Sequence, residues 1–203
     1  MKILMSTRDP LPTRRRLLEV GQQEIYLHGF QGASLEQILK RANATKGSFF
    51  HHFPSKTAFG YSIVEELIAE MIAAQWVHPL RHSADPLETI ATGFERGVGV
   101  LRRQRPILGC PLNNLAQEMN PLDDGFRRQT LAVFKLWHDA YADAIARARN
   151  DGRINRDVRP ADAAHALVAQ IEGTLSLARN SQNPAVLTAG TRSLRTYLES
   201  MRA

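Results

Sequence analysis

The sequence predicts an all-α fold of about nine helices, and three observations predict it. Apolar residues recur at spacings of three and four through several long windows. The alternation of β-branched and polar residues that marks a strand is almost absent. Proline, glycine and small hydroxyl or acidic residues also fall where helices start and stop. With 203 residues, 43% hydrophobic and 23% charged, the chain can bury a core and does not have the composition of a disordered one.

The elements follow in order. Residues 1–12 read as an arm. Thr13 caps a first helix to about His28 that buries Leu17, Leu18, Ile25 and Leu27, and Gly29 ends it. Ser34 caps a short second helix with Leu35, Ile38 and Leu39 as its stripe up to Ala42, and Asn43-Ala44 make a turn. Thr45 caps a third helix through His52 that sets Phe49 and Phe53 on one face, before Pro54 stops it. Ser55 caps a fourth, in which Phe59, Ile63, Leu67 and Met71 keep four-residue spacing until His78 and Pro79. Asp85-Pro86 opens a fifth helix to about Arg103. After a break at Arg105 to Pro111, a short sixth covers Leu112 to Met119. A long seventh starts at Asp123 and passes Leu131, Phe134, Trp137, Tyr141 and Ile145 to end near Gly152. The last two run from Pro160 to about Asn180 and from Pro184 to about Arg202.

Charge is uneven along this chain. Residues 1–60 hold nine Lys/Arg against four Asp/Glu, a surplus of five out of the net +6, so a basic segment is attached to a nearly neutral body. Such a segment suits a polyanionic partner, or is an ordinary solvated basic face. No apolar run approaches the ~18 residues of a membrane span, no secretory leader is evident at the N-terminus, and the lone Cys110 fits a reducing compartment. The expectation is a cytoplasmic protein without membrane contact.

Gly-rich phosphate loops, nucleophile elbows and metal-ligand spacings are not found, so no enzyme, cofactor or metal is expected. His78 and His82 are separated by Pro79, which breaks the helix that would align them.

Two short helices joined by a tight turn after a basic helix make a plausible DNA reader. The stretch Gly29-Phe30, then Thr45-Lys46-Gly47-Ser48-Phe49-Phe50-His51-His52-Phe53, then Pro54-Ser55-Lys56 resembles the signature of the TetR family of bacterial repressors. The rest of the chain resembles that family in length and helix count only. The resemblance implies an N-terminal three-helix helix-turn-helix domain over 1–58 and a helical effector-binding and dimerisation domain over 59–203.

It also implies that Lys46, Gly47 and Ser48 enter the major groove at the N-terminal end of the third helix. Phe50 stands where a tyrosine is common, keeping the apolar face and losing the hydroxyl, and His52 likewise replaces an aromatic hydroxyl. His51 and His52 also suit aromatic packing at a helix end. Ser34, Gln37, Thr45 and Lys56 are candidate phosphate contacts, although Ser34 and Thr45 equally suit plain N-capping.

In the second domain the resemblance implies a homodimer built by the last two helices, with Ala164, Leu167, Val168, Ile171, Leu175, Leu194 and Leu198 facing the partner or filling the protomer's core. Middle helices of such repressors enclose a small-molecule pocket, for which Phe94, Leu101, Leu112, Phe134, Trp137 and Tyr141 are possible walls. Cys110, near Arg102, Arg103 and Arg105 and a helix N-terminus, is expected to have a lowered thiol pKa or else to be a small buried hydrophobe. Its segment looks like that of TetR-type repressors answering electrophiles such as quinones or acrylate. The expected function is a repressor that leaves operator DNA when an effector binds. The rival is a non-specific architectural DNA-binding protein without an effector.

Overall fold

A computed structural model describes residues 10–203, and most of the expected arm lies outside them. Among the described residues the chain forms nine helical rods. These are α1 (Pro10–Gly32), α2 (Leu35–Ala42), α3 (Lys46–His52), α4 (from Lys56 to Leu80), α5 (Pro86–Leu101), α6 (Pro111–Met119), α7 (Asp124–Asn150), α8 (Pro160–Ser181) and α9 (Pro184–Ser200).

Most starts are set by the residues that predict them. Ser34, Thr45, Ser55, Asp85 and Asp123 accept from the backbone N–H of Gln37, Ser48, Ala58, Glu88 and Phe126, which satisfies donors the first turn leaves free. Thr13 is a correction, because α1 already begins at Pro10. Leu27 is another: it is 48% exposed, while Leu17, Leu18 and Ile25 are buried as expected.

Within α4 the helix alternates between α and π winding, with π turns at Ile63–Ile68 and Ala73–Val77 and a closing 3₁₀ turn at His78–Leu80. The reason is legible in its apolar period. A strict four-residue spacing runs ahead of 3.6 residues per turn, and the wider i→i+5 turns keep Phe59, Ile63 and Leu67 facing inward.

Around the long α7, whose Trp137, Tyr141 and Ile145 are fully buried, pack α4 and α8, and α9 lies between α8 and α5. Leu131, placed on the same stripe by its sequence, is 61% exposed. Ala164, Leu167, Ile171, Leu194 and Leu198 are buried inside the protomer, so they are core and not a partner-facing stripe. Leu175 is buried beside a cavity and Val168 is half-buried on a groove. The outward line of α8 is instead His165, Ala169, Gly173 and Leu177 at four-residue spacing. No helix among the described residues is long and apolar enough to cross a membrane.

Candidate functional site

Helix α3 is held from behind by aromatic rings. Phe49, Phe53 and Phe59 are buried and meet pairwise with centroids 4.8–5.4 Å apart. That anchoring turns the other face of the short helix outward, leaving Thr45, Lys46, Gly47, Phe50 and His51 exposed and Ser48 and His52 half-buried. Phe50 is 45% exposed, unusual for its size. A Cβ built on Gly47 would meet only Thr45 Oγ1, at 4.0 Å. Glycine inside a helix costs about 1 kcal/mol against alanine. No contact inside the described protomer requires a glycine at position 47. Burial lowers the pKa of His52, with help from His51 and Arg14, so its ring is a neutral donor or acceptor.

The basic segment is largely spoken for within the chain. Arg14 makes a two-pronged pair with Glu66, Arg15 bonds Glu19, Arg16 donates to the Ala42 carbonyl, and Arg41 pairs with the buried Glu24. Lys56 is a correction to its expected phosphate contact. Its ammonium donates to the carbonyls of Ala33 (2.7 Å) and Gln31 (3.3 Å) and lies 5.1 Å from the Phe30 ring centroid. It therefore caps the C-terminal end of α1. Lys40 and Lys46 are exposed and make no ion pair among the described residues. Ser34 is half-buried and accepts from the backbone N–H of Gln37, which is itself exposed.

A cavity of about 350 Å³ is walled by α1, α4, α5, α6, α7 and α8. Phe94, Leu101, Cys110 and Trp137 line it as the sequence suggests, and Trp76 stacks on Trp137 at 5.0 Å. Leu112 and Tyr141 do not; they are core. Phe134 borders a separate open groove between α7 and α8. Sequence reasoning missed Gln22, Tyr26, Gln75, Gln104 and Glu172 on the cavity wall. Only Glu172 carried a signal, as an acid four residues past Val168 on an apolar stripe.

Of the two expectations for Cys110, the small buried hydrophobe fits and the lowered thiol pKa does not. It is buried, and burial together with the neighbouring Glu172 pushes its thiol well above the ordinary value, so it is a neutral thiol at pH 7. Glu172 is 8% exposed, has the Cys110 thiol beside its carboxyl group and no cation among the described residues, and burial raises its pKa to about 7.

One wall of the cavity is bonded to the end of α1. Tyr26 donates to the Gly109 carbonyl (2.5 Å), just before α6, and the Glu118 carboxylate on α6 accepts from the backbone N–H of Phe30 (2.8 Å) and Gln31 (2.9 Å). Gly29 makes this possible. It adopts φ 77°, and a Cβ there would lie 2.8 Å from Glu118 Oε2.

An outward-facing short helix after a tight turn, carried on a separate all-helical body, defines a helix-turn-helix transcription regulator. Residues 17–59 match the profile described as bacterial regulatory proteins of the tetR family, and residues 86–194 match the tetracyclin repressor-like C-terminal domain. The chain belongs to the TetR family of transcriptional regulators.

Its relatives include the repressor DhaR of Mycobacterium sp. (strain GP1), 29% identical over 81% of each chain. The repressor NemR of Escherichia coli is 47% identical over 57% of this chain and 58% of its own. Among solved structures, a TetR regulatory protein from Rhodobacter sphaeroides superposes with TM-score 0.81 at 27% identity, covering 91% of this chain and 98% of that one. The reduced form of E. coli NemR gives TM-score 0.82 over 94% and 97%, and at 24% identity speaks for the fold.

Proposed function

We propose that this chain is a ligand-responsive repressor that grips operator DNA as a homodimer and releases it when a small molecule fills the cavity. The observation that carries this reading is the bonded path from cavity to reader. Gly109, Cys110 and Pro111 are cavity wall, and α6 continues from them to Glu118, which holds the end of α1 against which α2 is set. A ligand that moves the N-terminal end of α6 therefore moves the base on which α2 and α3 stand.

Within this reading residues 1–58 form the DNA-binding domain and 59–203 the effector and dimer domain. Lys46, Gly47, Ser48 and Phe50 meet base edges or approach them closely, while Ser34, Gln37, Thr45, His51 and His52 position the duplex. The partner subunit packs on the small exposed residues of α8 and α9, such as Ala169, Gly173, Ala185 and Ala189. The cavity favours this reading over an architectural DNA-binding protein, which has no use for one.

The test is selection of bound sites from genomic fragments, followed by anisotropy titration on the recovered site. A footprint with two half-sites about one duplex turn apart, lost with a cavity-filling compound, is the expected result. Equal affinity for all fragments rejects the repressor reading in favour of the architectural one.

A further inference from the structure

We propose that the effector taken by this cavity is an organic cation with a compact aromatic or apolar body, recognised by the carboxylate of Glu172. This rests on the reading of the cavity as the effector site and names the chemistry of its ligand.

Buried carboxyl groups in folded proteins are almost always paired or hydrogen-bonded, because desolvation without compensation is costly. Glu172 has no cationic partner among the described residues, although it is buried and borders the cavity; what stands beside it is the thiol of Cys110, a weak donor. Lysine, arginine and histidine are missing from the described residues of the cavity wall, whose polar members are Gln22, Gln23, Tyr26, Gln75 and Gln104. The Cys110 thiol is uncharged and leaves the charge of the carboxylate uncompensated. The positive charge that would complete Glu172 therefore has to come from outside the protomer.

On its other side Glu172 borders the open groove that holds Lys135, His138, His165 and Asp139. Those groups are committed to one another: Lys135 and His138 both bond Asp139, and His165 packs on the His138 ring at 4.7 Å.

The remaining walls fit the same ligand. Trp76 and Trp137 are stacked within 13° of parallel, and with Phe94 they offer π surface, which attracts cations as well as apolar bodies. An anion placed here would meet a carboxyl group and no compensating cation.

The experiment compares benzyltrimethylammonium with its uncharged isostere neopentylbenzene on the full chain, by calorimetry and by tryptophan emission. Trp76 and Trp137 are the two tryptophans of the sequence and both line the cavity, so emission reports occupancy of this site. The wild type should bind the cation at least about tenfold more tightly than the isostere. Glu172→Gln should lose about ten- to a hundredfold of cation affinity, the range of one charge-assisted contact, with the isostere unchanged. Equal affinity of the wild type for both probes, or a cation affinity indifferent to Glu172→Gln, overturns the cation proposal and leaves the cavity reading intact. If neither probe binds the folded wild type, both fail together.

Discussion

Glu172 and Gly47 each break a local rule, and each break has a measurable consequence. The folded chain holds the Glu172 proton up to about pH 7, above the ordinary value of 4.5 that applies when it is unfolded. The folded state thus binds the extra proton between those values. Stability is full below the unfolded value and is lost as pH rises towards 7, by about 3 kcal/mol in total. Thermal melts from pH 5 to pH 8 should fall more steeply for the wild type than for Glu172→Gln, with the variant the more stable at pH 8. Parallel curves would remove the buried carboxylate from consideration. Gly47→Ala has room for its methyl group and should raise stability by about 0.5–1 kcal/mol. It should also weaken operator binding, since a methyl group then projects where the duplex comes close. A variant that is stabilised and binds unchanged would take Gly47 off the DNA face. Lys56→Ala should cost about 1 kcal/mol in denaturant titration through the lost cap, and leave the salt slope of DNA binding unaltered.

Among the elements, α6 bonds the cavity wall to the end of α1. Its first residues wall the cavity and its Glu118 holds two backbone donors at the kinked end of α1. Glu118→Ala leaves both N–H groups unpaired, and hydrogen exchange at Phe30 and Gln31 should accelerate well before global unfolding. Protection equal to the wild type would mean that α1 is fixed by packing alone. The π turns of α4 belong to the same scale. Gln75 and Trp76, both cavity residues, sit in the second of them, so the winding that keeps the apolar stripe inward also aims the stacked indole at the pocket.

At the scale of the whole molecule, the surplus of positive charge near the N-terminus is less available than its count suggests. Arg14, Arg15, Arg16, Arg41 and Lys56 all have internal partners, and among the described residues of the reader Lys40 and Lys46 are exposed cations that make no ion pair. In the proposed homodimer a second copy doubles these charges on the operator, and the small exposed residues along α8 are where its helix would pack. Gly173 has open space beyond its Cα, so Gly173→Arg should leave the protomer folded. Sedimentation should then show half the wild-type mass, with operator affinity falling by a hundredfold or more, on the order of one lost half-site. A dimer of unchanged stability would move the interface elsewhere.

The order of the helices and most of their caps were determined by the sequence alone, because capping and apolar period are local interactions among residues a few positions apart. The reader was legible for the same reason: the run from Thr45 to Lys56 is one contiguous piece of chain. Which stripe faces inward along α8 and α9 was not, since a helix in the middle of a bundle is apolar on more than one side and only packing tells core from surface. The pairing of Cys110 with Glu172, the clamp of Glu118 on α1 and the commitment of Lys56 to carbonyls join residues 23 to 88 positions apart. Only the tertiary structure decided them, because a charge's partner and a thiol's proton affinity depend on what the fold brings near them and how much water it removes.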